Sequence, residues 1–293
     1  RALRWRYLLA PAGRPGLHSL FGAVMIGFMS LNVLPLRLGE FIRAYVLARR
    51  EEMTVSGVFA TVVVERIFDG FTVLLFLLVS LFLLPWSLDQ GTREWITAFS
   101  VLAVVIYLAA ILFLVLLKWK VRLVLGVSDR VLRRLPRWRE TAGRMILAFA
   151  GGLDALASLR LFAIIAVCSL LVWLAAAGFY WVVMFAFCCV GGTDLGAHAG
   201  YLGATFVLAG VALGVMLPSS PGFVGTFELA CITAVAALGA DRSLAESYAL
   251  VSHAATYFPV TLTGIVYLYL HNFSLRQIQA AGEEARSEFE PSP

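Results

Sequence analysis

The chain has 293 residues and a formal charge of +5, with 61% hydrophobic and only 14% charged residues. A soluble globule has roughly half apolar and a quarter charged residues, so this composition excludes one. Apolar runs of about 18 residues or more recur without strict apolar/polar alternation, which also excludes an outer-membrane barrel. The predicted class is all-α: a polytopic transmembrane helical bundle.

Residues 1–17 interleave Arg1, Arg4 and Arg6 with Trp5 and Tyr7 before a Pro/Gly turn, a pattern that suits an interfacial segment on the cytoplasmic side. The apolar run His18 to Leu34 is barely long enough to span and is halted by Pro35. An amphipathic stretch, Leu36 to Glu52, follows. A short apolar helix, a break and a charged return predict a re-entrant hairpin, because irregular backbone at membrane depth must line a cavity or be buried in protein.

Thr54 to Leu84 is a long span with Glu65, Arg66 and Asp69 in its first half. Glu65 and Asp69 share a helix face, and Arg66 can pair with Asp69 three residues on. Charges at such depth cost roughly 2.5–3.5 kcal/mol or more, so they normally pair and carry function. Trp95 to Leu117 reads as a span without charges.

Nine basic residues lie between Lys118 and Arg144, against Asp129 and Glu140. Such a cluster marks a cytoplasmic segment near anionic lipid, here two amphipathic surface helices within 118–160. No nucleic-acid fold or motif accompanies the charge, so nucleic acid is not an expected partner.

Leu161 to Val190 is another long span, and its Trp173, Tyr180 and Trp181 read as lipid-facing or interfacial packing. Ala197 to Leu217 is stopped by Pro218, and Ser220, Gly222 and Gly225 lead into a short apolar helix carrying Glu228. Ser243 to Leu270 is the last span, with His253 four residues before Tyr257. The tail, 272–293, is polar and predicted disordered. Residues 1–271 form one transmembrane domain. The opening on Arg1 rather than Met suggests an N-terminally trimmed form.

The two broken stretches resemble each other in plan. Each runs apolar helix, Leu-Pro break, Gly and Glu, short helix, then a long span with polar residues. Pro35 precedes Glu65 by 30 positions and Pro218 precedes His253 by 35. With both basic stretches inside, the first hairpin enters from the cytoplasm and the second from outside. Inverted repeats with broken helices point to a transport site near the midplane.

Arg37 and Arg43 could hold a phosphate through paired hydrogen bonds. Glu40 could neutralise one of them, bind a cationic headgroup or take up a proton. A solvated surface helix over 36–52 and an ion-pair network around Glu65, Arg66 and Asp69 are the plainer readings. The Pro218–Gly225 loop could let backbone approach an anion at a helix N-terminus, or could be a helix break with a side-chain cap. His253 suits either a satisfied core histidine or a proton-handling one. His18, His198 and His271 read as interfacial. Cys168, Cys188, Cys189 and Cys231 lack metal-ligand spacing and read as buried and inert. No metal or cofactor is expected. The chain shows no GxSxG, HExxH, Walker or GxGxxG motif.

Three patterns carry a family resemblance: N-x-L-P-x-R-x-G-E-x-x-R at Asn32–Arg43, E-R-x-x-D at Glu65–Asp69, and P-x-x-P-G-x-x-G-x-x-E at Pro218–Glu228. They resemble the flippase-like family, also called the lysylphosphatidylglycerol synthase transmembrane region or UPF0104. The resemblance implies a bacterial or archaeal cytoplasmic-membrane protein that moves a lipid or lipid-linked headgroup between leaflets. Its relatives include the multiple peptide resistance factors, which fuse such a domain to a soluble synthetase; residues 271–293 read as no such domain. Members usually carry one or two spans before an Arg-Trp-Arg segment like Arg4–Arg6, so the resemblance implies upstream spans beyond the given N-terminus.

The expectation is therefore a non-enzymatic lipid flippase whose partner is an anionic, aminoacylated or polyprenyl-phosphate lipid, with self-association left open. Its site would comprise Asn32, Arg37, Glu40, Arg43, Glu65, Arg66, Asp69, Ser220, Gly222, Gly225, Glu228 and His253. The alternatives are a membrane transferase acting on phospholipid or polyprenyl-phosphate, and a non-catalytic scaffold using the basic segment.

Overall fold

The computed structural model describes residues 1–35, 38–84, 120–133, 158–191, 195–216 and 220–271, with isolated positions between 94 and 112, between 139 and 147, and at 273, 274 and 277. Among these residues the regular elements are helices. They are α1 (Ala2–Leu9), α2 (Leu17–Val33), α3 (Gly39–Arg50), α4 (Val55–Leu83), α5 (Val121–Val131), α6 (Leu159–Gly191), α7 (Leu195–Gly214), α8 (Thr226–Ala237) and α9 (Arg242–Leu270). A 3₁₀ turn, Pro221–Phe223, precedes α8.

Helices α4, α6 and α9 are long and apolar enough to cross a membrane. The 29 residues of α4 and of α9 rise about 43 Å at 1.5 Å each, more than the roughly 30 Å of hydrocarbon. The 17 residues of α2 reach only about 26 Å. Phe82, Leu171, Val182, Leu262 and Tyr269 stay exposed, an outer belt that lipid rather than water would cover. The chain is an integral membrane protein.

The breaks follow from local chemistry. Leu34 precedes proline and is extended at ψ 145°, as the proline ring demands, and α2 ends there. Gly225 takes φ +90°, a left-handed conformation that an L side chain resists, and α8 starts beyond it. Asp241 caps α9 by accepting the Leu244 N–H at 2.9 Å.

The packing crosses between the halves. Helix α2 lies chiefly along α9, and α7 along both α6 and α4, while α3 folds back on α2 and α8 on α7. Two apolar cores result. One gathers Trp5, Ile42, Leu47 and Val62. The other gathers Val73, Met184, Val207, Val235 and Tyr248.

The two halves also match in length. Helices α3 and α8 have 12 residues each, and α4 and α9 have 29 each. A Cβ added at Gly27 would lie 2.6 Å from Arg43 Cβ and 3.0 Å from the Gly39 carbonyl; one at Gly214 would run into Ala230 Cβ and lie 3.4 Å from the Thr226 carbonyl. These are the same contacts displaced by 187 positions: 27 to 214, 39 to 226 and 43 to 230.

Three expectations need correction. Residues 1–9 are not merely interfacial, since Arg4 and Trp5 are fully buried against α4 and α6. Trp173 and Tyr180 point inward, and only Trp181 of the three aromatics is exposed. Cys231 is buried as expected, but Cys189 is exposed. Most of the expected span 95–117 and much of the basic segment 118–160 lie outside the described residues, as do His198's side chain and most of the tail. Within the basic segment, α5 is amphipathic. It touches the first core through Val124.

Candidate functional site

The site starts from two carboxylates one turn apart on α4. Glu65 is fully buried and Asp69 nearly so, and each is met by several guanidinium groups. Glu65 Oε1 accepts from Arg4 Nη2 at 2.7 Å, Arg66 Nη2 at 3.1 Å and Arg43 Nη1 at 3.4 Å. Asp69 Oδ1 accepts from Arg4 Nη1 at 2.5 Å and from the Trp173 indole Nε1 at 2.8 Å. Its Oδ2 accepts from Arg1 Nη1 at 3.1 Å and lies 3.3 Å from Arg66 Nη2. Glu40 pairs with Arg43 at 3.0 Å and Arg66 at 3.5 Å.

Four helices therefore converge on one network: α1, α3 and α4 supply the charges, and α6 supplies Trp173. Ser169 of α6 accepts from Arg4 at 2.9 Å. Two indoles flank the cations, with Arg43 over Trp5 at 5.1 Å and Arg1 over Trp173 at 5.3 Å. Among the described residues, four guanidinium groups face three carboxylates, so the network carries one surplus positive charge.

A cavity of about 600 Å³ opens beside this network, within the usual range of roughly 300–1,000 Å³ for small-molecule sites. Glu40, Arg66 and Asp69 line it from the network, and Asn32, Thr256 and His253 line it from α2 and α9. Its walls are otherwise largely apolar, from Phe28, Leu208, Val211 and Phe223 among others. Arg66 is the most open of the network's charged side chains, at 36%.

A second polar cluster is built by α8, α9 and the loop between α7 and α8. His253 Nδ1 lies 2.5 Å from Glu228 Oε1, and its Nε2 lies 2.9 Å from the Gly222 carbonyl oxygen. The imidazole stacks on Phe227 with centroids 4.3 Å apart. Glu228 Oε2 accepts the Gly225 N–H at 2.7 Å, so this carboxylate takes a place at the N-terminus of α8 that the loop could otherwise have offered to an outside anion. Ser220 Oγ donates to the Val224 carbonyl at 2.9 Å and closes the loop. Asn32 Nδ2 donates to Thr261 Oγ1 at 2.8 Å, tying the end of α2 to α9.

The expected residues are thus largely brought together around one cavity. Glu40, Arg66, Asp69, Asn32 and His253 face it. Glu65 and Arg43 lie behind as the network's buried frame, so Arg43 is engaged by Glu40 and Glu65. Gly222, Gly225 and Glu228 hold the loop and its histidine, and Ser220 braces the loop from an exposed position. Arg37 lies outside the described residues. Sequence reasoning missed Arg1, Arg4, Ser169 and Trp173. The available signal was the three-residue spacing of Arg1 and Arg4, which puts both on one helix face as partners for a Glu/Asp pair one turn apart.

Residues 1–264 match the family described as the lysylphosphatidylglycerol synthase TM region. The chain belongs to that family. A UPF0104 membrane protein of Methanocaldococcus jannaschii is 32% identical over 117 residues, covering 36% of this chain and 34% of that protein. The match thus spans about a third of that relative's length. No solved structure matches the chain.

Proposed function

We propose that this family member carries a phospholipid or a lipid-linked headgroup between the leaflets of a bacterial or archaeal cytoplasmic membrane, without chemical conversion. The supporting observation is the joining of a buried ionic network to a largely apolar cavity between the two matched halves. A lipid needs both surfaces at once. Its headgroup must find charge inside the membrane, and its acyl attachment must meet apolar walls.

Arg66, with the surplus positive charge behind it, is suited to a headgroup phosphate, since guanidinium presents paired donors. Glu40 and Asp69 balance that charge and can receive a cationic group on the same headgroup. The matched segments 17–83 and 195–270 are read as an inverted repeat, with α2 and α7 entering from opposite sides and breaking near mid-depth. The basic 118–144 segment then lies in the cytoplasm.

The test is leaflet exchange in proteoliposomes with headgroup-labelled anionic, zwitterionic and polyprenyl-phosphate lipids, read by an impermeant quencher. Rapid exchange of one class, lost in Arg66→Ala and Glu40→Gln, supports the reading. Exchange no faster than in empty vesicles overturns it. Covalent conversion of lipid in the same vesicles would favour the transferase alternative.

A further inference from the structure

From the hydrogen bonds of His253 we infer a proton-binding site, the His253–Glu228 pair, that holds the 220–225 loop against α9 only while it is protonated. The proposal rests on the transport reading only for its consequence, because the loop borders the same cavity.

The argument is a count of protons. A carbonyl oxygen has none to give, so the 2.9 Å contact between Nε2 and Gly222 is a hydrogen bond only when Nε2 carries a proton. The 2.5 Å contact between Nδ1 and Glu228 Oε1 needs a second proton, on either atom, to keep two lone pairs from facing each other. The pair is then imidazolium with carboxylate, or imidazole with carboxylic acid. Both forms are neutral overall. Releasing the shared proton leaves one proton for two contacts and a net negative charge. One contact must open: either the histidine leaves Gly222 or it leaves Glu228.

Both partners sit where opening would be felt. Gly222 is left-handed at φ +70°, and a Cβ there would lie 2.6 Å from the Tyr257 ring and 3.1 Å from the Asn32 carbonyl. The loop is therefore wedged between α9 and the end of α2. Glu228 also takes the Gly225 N–H, so its movement loosens the start of α8. Cys231 follows on α8, and Tyr257 on α9 packs edge-on to the imidazole at 5.9 Å. The other titratable groups lining the same cavity are Arg66, Asp69, Glu40, Tyr107 and Tyr180. Imidazole is the side chain whose ordinary titration falls between about pH 5 and 8.

The test is hydrogen exchange by mass spectrometry on the full chain in lipid vesicles, corrected for intrinsic rates and followed from about pH 5 to 8.5. In the wild type, protection of the 220–229 segment should fall about tenfold as pH rises, as expected for a local opening. Glu228→Gln should abolish the fall and stay protected throughout. Its amide oxygen can accept from Gly225 and its NH2 can donate to Nδ1, so a singly protonated histidine satisfies every contact. His253→Ala should be unprotected at every pH. A wild-type segment whose protection ignores pH, or a transition that survives in either variant, overturns the proposal. Lipid exchange in the same vesicles separates the readings. A loop that opens without any lipid exchange defeats the transport function and leaves the proton site standing. Lipid exchange with a pH-indifferent loop does the reverse.

Discussion

Arg66 and His253 hold equivalent places on the two long helices that border the cavity. Each is the twelfth residue of its 29-residue helix, and each faces the same space. The positions behind them correspond as well: Glu65 with Ser252, both fully buried, and Asp69 with Thr256, both on the cavity wall. One half of the cavity thus carries a fixed charge cluster where the other carries a histidine. The fold supplies two similar frames, and the side chains make them chemically unequal.

The ionic frame should be the most fragile polar feature of the protein. Removing Glu65 leaves Arg4, Arg43 and Arg66 crowded without their shared acceptor. Breaking a buried pair from one side typically costs about 3–5 kcal/mol. Glu65→Ala should therefore lower the thermal midpoint in detergent steeply, whereas Glu246→Gln, at the exposed pair with Arg242, should leave it unchanged. Equal midpoints for the two variants would show that the cluster does not hold α1 to α4.

Trp173 offers a milder probe of the same network. Its indole N–H is aimed at Asp69 Oδ1, and its ring lies under Arg1. Trp173→Phe keeps an aromatic face but removes the donor, and a charged acceptor that loses a partner in this way costs about 1–3 kcal/mol. Trp181→Phe, on the exposed side of the same helix, is the matched control. We expect a clear fall in unfolding midpoint for the first and almost none for the second.

Much of this was legible in sequence, and the failures have physical causes. The Glu65/Arg66/Asp69 spacing told of a polar face within an apolar helix, and Pro35 told where α2 stops. Arg1 and Arg4 were misread because arginine near a span end suits a membrane interface equally well, and Trp173 because a mid-span aromatic can as readily face lipid. Only tertiary docking of α1 and α6 onto α4 turns them inward. The likeness of the two broken stretches was read from Pro35 and Pro218, whereas the helix lengths and glycine contacts correspond at a shift of 187 positions. Matching Pro35 to Pro218 aligns the starts of two breaks of unequal length, while the structure matches the helices that follow them.

Acid should weaken the end of α9. His271, just beyond the span, packs edge-on to Tyr267 near His18, and among the described residues neither ring nitrogen has a hydrogen-bond partner. Burial pushes its pKa below the ordinary 6.5, helped by the nearby positive charge of Arg50 and by His18. The folded state therefore resists the proton that the unfolded chain accepts. Its contribution is complete above about pH 6.5 and is lost as pH falls below it. Midpoints measured between pH 7.5 and 5 should decline, and His271→Phe should flatten the slope. An unchanged slope in that variant would remove His271 as the cause.

The glycine pair tests whether the two halves share one packing scheme. Gly27 admits Arg43 Cβ and the Gly39 carbonyl, and Gly214 admits Ala230 Cβ and the Thr226 carbonyl, so in each half a short helix folds onto the helix before its break. Gly214→Ala puts two methyl groups into one space. Such overpacking costs about 1–3 kcal/mol, because packed helices cannot part without losing contacts elsewhere. The double variant Gly214→Ala with Ala230→Gly returns the space and should recover most of the loss. In the first half, Gly27→Ala has no such remedy, since Arg43 must keep its side chain to hold Glu40 and Glu65. We therefore expect similar damage from both single variants, measured by unfolding midpoint, and rescue in the second half alone. If Ala230→Gly fails to rescue, the contact at Gly214 is not what limits the approach of α7 and α8, and the shared scheme loses its support.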